Sequence, residues 1–307
     1  MSDVDAARVS IRALRSVFIV NPVSGRPGTR ARRRARLEAF LTRHQLDAQV
    51  LVSLRPGHAV ELARSAVEEG AGLVVSVGGD GTINEVASML VGREAHFAII
   101  PCGSGNGLAR DLAIPRGFDQ ALDLLLDARV RVIDSGTVNG LPFFNVAGFG
   151  FDAVVGERFN RCSGTRGLAS YLRIGLAALV TTPTEPLVIE PEGGPSERMP
   201  SFMTAIANST QYGNNARIAP RASLDDGKLD VVVVQSRNLF RAVWLGLRAF
   251  AGTIDRANGV RTLRAPAFIL RRTAAAPIHV DGEVHVCPPT IEVRVVPRSL
   301  RVLVPPP

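Results

Sequence analysis

Between Val17 and Leu126 the chain repeats one pattern: a short apolar run, a bend, then a segment with apolar residues at helical spacing. The apolar runs are Val17–Asn21 (VFIVN), Ala48–Ser53, Leu73–Val77 and Phe97–Ile100. The helical segments are Thr29–His44, Pro56–Glu69 (Val60, Ala63 and Val67 on one face), Thr82–Leu90 and Phe118–Leu126. Apolar runs without strict alternation suit strands buried on both faces, and their alternation with helices specifies βαβ units. The pattern predicts an α/β domain over residues 1–134, with a parallel sheet and helices on both faces.

After Asp134 the texture changes. Strand-like runs follow at Gly136–Val138, Leu141–Val146, Leu187–Glu190, Phe202–Asn208, Leu229–Val234, Ala267–Arg271, Ile278–Val286 and Thr290–Val296. The Asn139-Gly140 pair between the first two is a hairpin signal. Helical segments at Arg166–Val180 and Leu239–Ala251 interrupt, and Pro191–Pro200 (PEGGPSERMP) reads as a surface loop. Residues 135–307 are expected to form a β-rich antiparallel sandwich. The chain's 307 residues accommodate two such domains at roughly 100–200 residues each.

The formal net charge is +8, and Lys228 is the only lysine, so arginine carries the basic balance. Such a balance suits an anionic membrane surface or another polyanion; nucleic acid is not expected among the partners. Cys102, Cys162 and Cys287 are odd in number and far apart, which favours a reducing compartment over a disulfide framework or zinc ribbon. No run approaches the ~18 apolar residues that span a bilayer, and the N-terminus lacks a signal-peptide core. The expectation is a cytoplasmic protein that can touch membranes from outside.

Two glycine loops follow consecutive predicted strands. In Gly78–Glu85 (GGDGTINE) the loop amides and the positive end of the next helix would face an anion. Ligands of open α/β sheets bind at such strand ends. Asp80 is accommodated if Mg²⁺ lies between it and phosphates. Its carboxylate could equally hold the loop through backbone N–H groups, or simply cap the helix. The pattern is neither a P-loop nor G-x-G-x-x-G. In Pro101–Arg110 (PCGSGNGLAR), Ser104 and Asn106 offer donors to phosphate or ribose. Far downstream, His279–His285 (HVDGEVH) reads as one strand with His279, Asp281, Glu283 and His285 on one face. The two histidines would stand roughly 20 Å apart, too far to share an ion, and the two carboxylates about 6.6 Å apart. Neighbouring carboxylates in a partly dry cleft repel, which raises one pKa and suits a general base.

As an ordered set, Asn21-Pro22 with Ser24-Gly25, GGDGTINE at 78–85, PCGSGN at 101–106, Asn145–Asp152 (NVAGFGFD), Tyr212-Gly213 and Asp281-Gly282-Glu283 resemble the diacylglycerol kinase catalytic domain family. That family includes bacterial diacylglycerol kinases, related bacterial lipid kinases, and sphingosine and ceramide kinases. The resemblance implies that the first domain binds ATP, and that the β-rich second domain closes a cleft for a membrane lipid. It implies nucleotide contacts from Gly78, Gly79, Asp80, Gly81, Thr82, Ile83, Asn84, Ser53 and Ser104. Asn106 would stand beside Ser104, and Asn21 would brace the first strand's exit. Ser223–Asp230 (SLDDGKLD) resembles a structural Mg²⁺ loop, with a carboxylate from Asp226 and main-chain carbonyls from Ser223 and Lys228; its plain alternative is an Asp-Gly turn. Asp80 would lie near the Mg²⁺ of the nucleotide. Glu283 is implied as the base that takes a proton from the lipid hydroxyl, with Asp281 assisting or orienting.

Arg26 and Arg110 are candidate cations for the phosphates by proximity in sequence. Arg30, Arg32, Arg33, Arg34 and Arg36 are candidates for anionic headgroups, and Leu168, Leu172, Leu176 and Leu179 for a lipid site, although a solvated face and a core stripe are the commoner explanations. The oligomeric state is open, a homodimer included. Two other readings stand: a soluble-substrate kinase of the NAD kinase type, which shares GGDGT, and a non-catalytic nucleotide- or lipid-binding protein of the same fold. PCGSGNGLARDL and the downstream Asp-Gly-Glu speak against the former, and intact Asp80, Asp281 and Glu283 against the latter.

Overall fold

The computed structural model describes residues 9–25, 28, 30–155, 177–179, 181–213 and 215–306. The chain divides into two units, one reaching Ser135 and including Pro297–Pro307, the other Gly136–Val296. The expected second domain ran to residue 307; its last stretch belongs with the first unit.

In the first unit, β1 (Ser16–Val20), β2 (Ala48–Val52), β3 (Leu73–Gly78) and β4 (His96–Pro101) lie in the order β2-β1-β3-β4. All three pairings are parallel. The long β18 (Thr290–Val304) joins β4, also parallel, with Arg301 and Val302 opposite His96 and Phe97. The connecting helices are α1 (Arg30–His44), α2 (His58–Glu68), α3 (Asp80–Leu90), α4 (Gly107–Asp111) and α5 (Phe118–Leu124). Side chains alternate along a strand, and both faces of this sheet are filled. Phe18, Val75 and Ile100 pack with Leu37 and Phe40 of α1 and Leu122 of α5. Val17, Ile19 and Val74 point the other way and are equally buried; α2 and α3 pack against β1 and β3. Because the strands are parallel, the loops after β1, β2, β3 and β4 all emerge at one edge.

The second unit is a pair of antiparallel sheets. One runs from the first half of β18 through β15 (Ala267–Arg271) and β8 (Glu185–Pro191) to β9 (Glu197–Ser201). The other has the order β14-β13-β10-β7-β16-β17: Val260–Ala265, Leu229–Val234, Met203–Ala207, Val146–Gly150, Ala276–Val280 and Glu283–Cys287. Phe268, Leu270, Ile291 and Val293 from the first interleave with Phe149, Ile206, Val231 and Ile278 from the second in one core. Strand β13 is buried at every position for a reason of period two: Val231 and Val233 face that core, while Val232 and Val234 face Leu245 and Ala249 of α6 (Leu239–Phe250). A hairpin of β5 (Arg129–Val138) and β6 (Leu141–Phe143) turns at Asn139-Gly140, both in the left-handed region, φ 47° and 81°, as the Asn-Gly signal predicts.

Three readings of this half differ from the structure. The single strand Ile278–Val286 is a hairpin, β16 and β17, turning at Asp281-Gly282 with φ 47° and 91°. The loop 191–200 ends in strand β9, and β14 had no counterpart among the expected strands. The helical segment 166–180 falls outside the described residues except at 177–179, which are helical.

Candidate functional site

The loops at the carboxyl edge of the first unit are tied to one another by the residues singled out above. Asp80 opens α3, and its carboxylate reaches across to the second glycine loop. Oδ2 accepts from the Asn106 amide and Oδ1 from the Gly107 amide, each at 2.8 Å. The carboxylate therefore holds the loop through backbone N–H groups, one of the alternatives the sequence left open. Glycine is required where the loops meet. A Cβ on Gly103 would stand 2.8 Å from the Gly79 Cα, and one on Gly105 2.7 Å from Asp80 Oδ2. Asn106 was expected to offer its amide to a phosphate or ribose. Its side chain instead accepts from Gly103 N at 3.1 Å and donates to Gly103 O at 2.8 Å, buried, with φ 50°.

Asn21 donates from Nδ2 to Thr82 Oγ1 at 2.9 Å and accepts from the Val23 amide at 3.0 Å, so it joins the β1 exit to α3. Ser53 is buried, its amide on Val20 O at 2.9 Å. Ile83 is 3% exposed and belongs to the core, and its amide donates to Gly79 O at 3.0 Å. Gly78, Gly79, Gly81 and Thr82 present the start of α3, whose first amides have no intrahelical acceptor. Ser104 is exposed at the loop tip, and Asn84 lies one turn along α3, its carbonyl accepting from Ser88 Oγ. Glu85, to which no role was given, accepts from the Gly57 and Ala59 amides at 3.1 Å each and caps α2.

The arginines of α1 turn inward at their start. Arg30 and Arg33 donate to the Val23 and Ser24 carbonyls, while Arg34 and Arg36 pair with Glu38 and Asp119. Arg30 and Arg33 with Asn21, Ser24 and Phe118 line an open concavity beside the β1 exit. Arg110 donates to Gly105 O at 2.7 Å, which makes it a fastener of the second loop. Arg26 lies outside the described residues.

In the second unit the two acidic residues of Asp-Gly-Glu do different things. Asp281 sits in the turn. Its Oδ2 accepts from Phe144 N at 2.8 Å, and its Oδ1 from Asn145 N and Val146 N at 3.0 Å each. It thus pins the hairpin tip to the segment before β7. Glu283 is the first residue of β17, exposed and paired with Val280. The shared strand face expected for the two does not exist, because the chain reverses between them.

Sequence reasoning missed a partly buried cluster that includes His279 of this hairpin. Asp152 Oδ2 accepts from the Tyr212 hydroxyl and lies 2.8 Å from His279 Nε2, and its Oδ1 accepts from Ala153 N. Gly148 is glycine because a Cβ there would stand 2.5 Å from that carboxylate. The signal was present in NVAGFGFD and in Tyr212, which were read only as marks of resemblance.

The loop at 223–230 has a cation of its own. Arg264 lies 2.9 Å from Asp230 Oδ2 and 3.5 Å from Asp226 Oδ2, while Asp226 Oδ1 accepts from Lys228 N at 3.1 Å. Ser223 Oγ donates to Asp225. Burial pushes the Asp230 carboxyl up, against the pull of Arg264. Among the described residues no group of three or more His, Cys, Asp or Glu side chains could hold a metal ion. As arranged, Arg264 lies beside the Asp226 carboxylate expected to meet a structural Mg²⁺, and the Asp-Gly turn closes through the Lys228 amide.

A parallel sheet whose strand ends carry tied glycine loops, followed by an antiparallel sandwich, defines an α/β protein with a β-rich second unit. Residues 15–138 match the diacylglycerol kinase catalytic domain, and residues 145–304 match the YegS C-terminal NAD kinase beta sandwich-like domain. A "Diacylglycerol kinase" of Mycobacterium tuberculosis is 29% identical over 94% of this chain and 94% of its own. A "Probable lipid kinase YegS-like" protein of Pseudomonas aeruginosa is 33% identical over 77% of this chain and 78% of its own. A diacylglycerol kinase crystal structure from Bacillus anthracis shares the fold at 19% identity, with a TM-score of 0.71 over 95% of this chain and 98% of that one. The chain belongs to the diacylglycerol kinase catalytic domain family and is a kinase.

Proposed function

We propose that the protein is an ATP-dependent lipid kinase that moves the γ-phosphoryl group of ATP to a hydroxyl of a diacylglycerol-like or sphingoid lipid, in the cytoplasm at a membrane surface. The observation that carries this reading is the tied pair of glycine loops, bridged by Asp80, at the carboxyl edge of a parallel sheet. In this reading residues 1–134 are the nucleotide-binding domain, and the sandwich that follows receives the lipid.

Phosphoryl transfer depends on positioning and on neutralising charge. Main-chain amides at Gly79–Thr82 take the triphosphate, helped by the dipole of α3. Ser104, exposed at its loop tip, donates to it, and Arg30 and Arg33 add positive charge at the β1 exit. Asn21, Asn106 and Asp80 position these groups; Ser53 lines the end of β2. Bound with ATP, Mg²⁺ would supply charge neutralisation, and Asp80, whose two oxygens each accept one amide, would help hold it with the lone pairs that remain. Glu283, exposed at the start of β17, takes the proton from the acceptor hydroxyl. Asp281 holds the tip that carries it.

The test uses purified protein, labelled ATP, Mg²⁺ and a panel of diacylglycerol, long-chain base, ceramide, phosphatidylglycerol and NAD. Label in an organic-extractable product is expected. Label in NADP would replace the reading with a soluble-substrate kinase, and ATP binding without any transfer would replace it with a non-catalytic protein. Glu283→Gln is expected to abolish transfer with ATP binding intact; unchanged turnover removes Glu283 from the role of base.

A further inference from the structure

Helix α6 (LFRAVWLGLRAF) is seated on the sandwich by one face, where Leu245 and Ala249 are buried. At about 100° per residue, Leu239, Phe240, Val243, Trp244, Leu247 and Phe250 fall within an arc of about 140° on the opposite side. An ordinary surface helix is polar there. Here Phe240 is 86% exposed, Leu247 65%, Val243 60% and Phe250 59%. The helix contains no acidic residue, and arginines edge the apolar arc: Arg237 just before the helix, then Arg241 and Arg248.

The partners of Arg241 and Arg248 are the main-chain carbonyls of Asn258 and Thr253. Among the described residues no carboxylate forms an ion pair with either. Arg248 also lies over the Trp244 ring, 4.8 Å from its centroid.

We propose that α6 docks the protein on an anionic phospholipid bilayer, with the apolar arc among the upper acyl chains and the arginines at headgroup phosphates. An exposed apolar arc bordered by cations, with a tryptophan at the border, is the composition of a helix that lies in the membrane interface. A second copy of the chain fits less well. Two such faces meeting about a twofold axis would bring the same arginines together without a carboxylate to receive them. The run on α1 is a poorer candidate, because Arg34 and Arg36 pair with the carboxylates of Glu38 and Asp119 and the helix buries its apolar residues Leu37 and Phe40. The inference deepens the lipid-kinase reading and rests on it for its purpose, while its geometry stands apart.

The experiment is co-sedimentation of the full chain with vesicles of phosphatidylcholine, alone or mixed with phosphatidylglycerol. Beside it run sedimentation velocity, circular dichroism and ATP-dependent phosphorylation of a monomeric short-chain diacylglycerol. The wild type is expected to bind the anionic vesicles, more weakly as salt rises. Phe240→Asp with Leu247→Asp is expected to weaken binding about tenfold or more, with the dichroism spectrum and turnover of the monomeric lipid unchanged. Absence of vesicle binding by the wild type, or equal binding by the variant, overturns the proposal. So does a dimer that the variant dissociates while vesicle binding persists. If the variant loses vesicle binding but neither protein phosphorylates any lipid, the docking surface stands and the lipid-kinase reading falls.

Discussion

Asp281 and Glu283 stand two positions apart and divide anchoring from chemistry. Three backbone amides converge on Asp281, and Glu283 stands exposed beside it. Asp281→Ala leaves those amides without their charged acceptor and is expected to lower unfolding stability by roughly 2–4 kcal/mol, read from urea denaturation of the full chain. Glu283→Gln is expected to stay within about 0.5 kcal/mol of the wild type. Equal effects of the two would refute the division of labour. The alternation of HVDGEVH suits one continuous strand, yet its Asp-Gly is as good a reversal signal as the Asn-Gly at 139–140, and the chain reverses at both. Asp80 was legible only as alternatives, since which amides a carboxylate meets depends on a loop 26 residues away.

At the scale of elements, strands buried on both faces announced themselves. β3 and β13 are apolar along most of their length because both their faces are covered. Strand β14 (VRTLRA) hid because it is an edge strand with exposed arginines at 261 and 264, which pair with Glu197 and Asp230. Arg264 also carries a prediction. With a guanidinium between Asp226 and Asp230, chelation by EDTA is expected to leave the melting temperature of the protein unchanged. Arg264→Gln, which leaves Asp230 buried without its partner, is expected to cost roughly 2–4 kcal/mol, a figure reduced because the arginine is 34% exposed. A drop in melting temperature on EDTA would return the site to a metal.

For the whole molecule, the order of the parallel strands follows from alternating strands and helices, whereas the return of β18 to β4 does not. That pairing joins residues about two hundred positions apart, and no local pattern encodes it. His96, at the start of β4 in this pairing, is half-buried, and burial lowers its pKa below the ordinary 6.5. A lowered value means that the folded state favours the neutral ring. The stability it lends is present above the ordinary value and is lost as pH falls through the folded one. Melting temperature is expected to decline on acidification below about 6.5, and His96→Gln to flatten that part of the decline. An identical profile for the variant would assign the effect to other groups.

The same strand also sets an order of events during synthesis. Arg301 and Val302 leave the ribosome after all of Gly136–Val296 has been made. Until then β4 has an open edge beside Phe97, and such an edge invites pairing with foreign chains. Translation that halts early would therefore leave a nearly finished parallel sheet in its most aggregation-prone form.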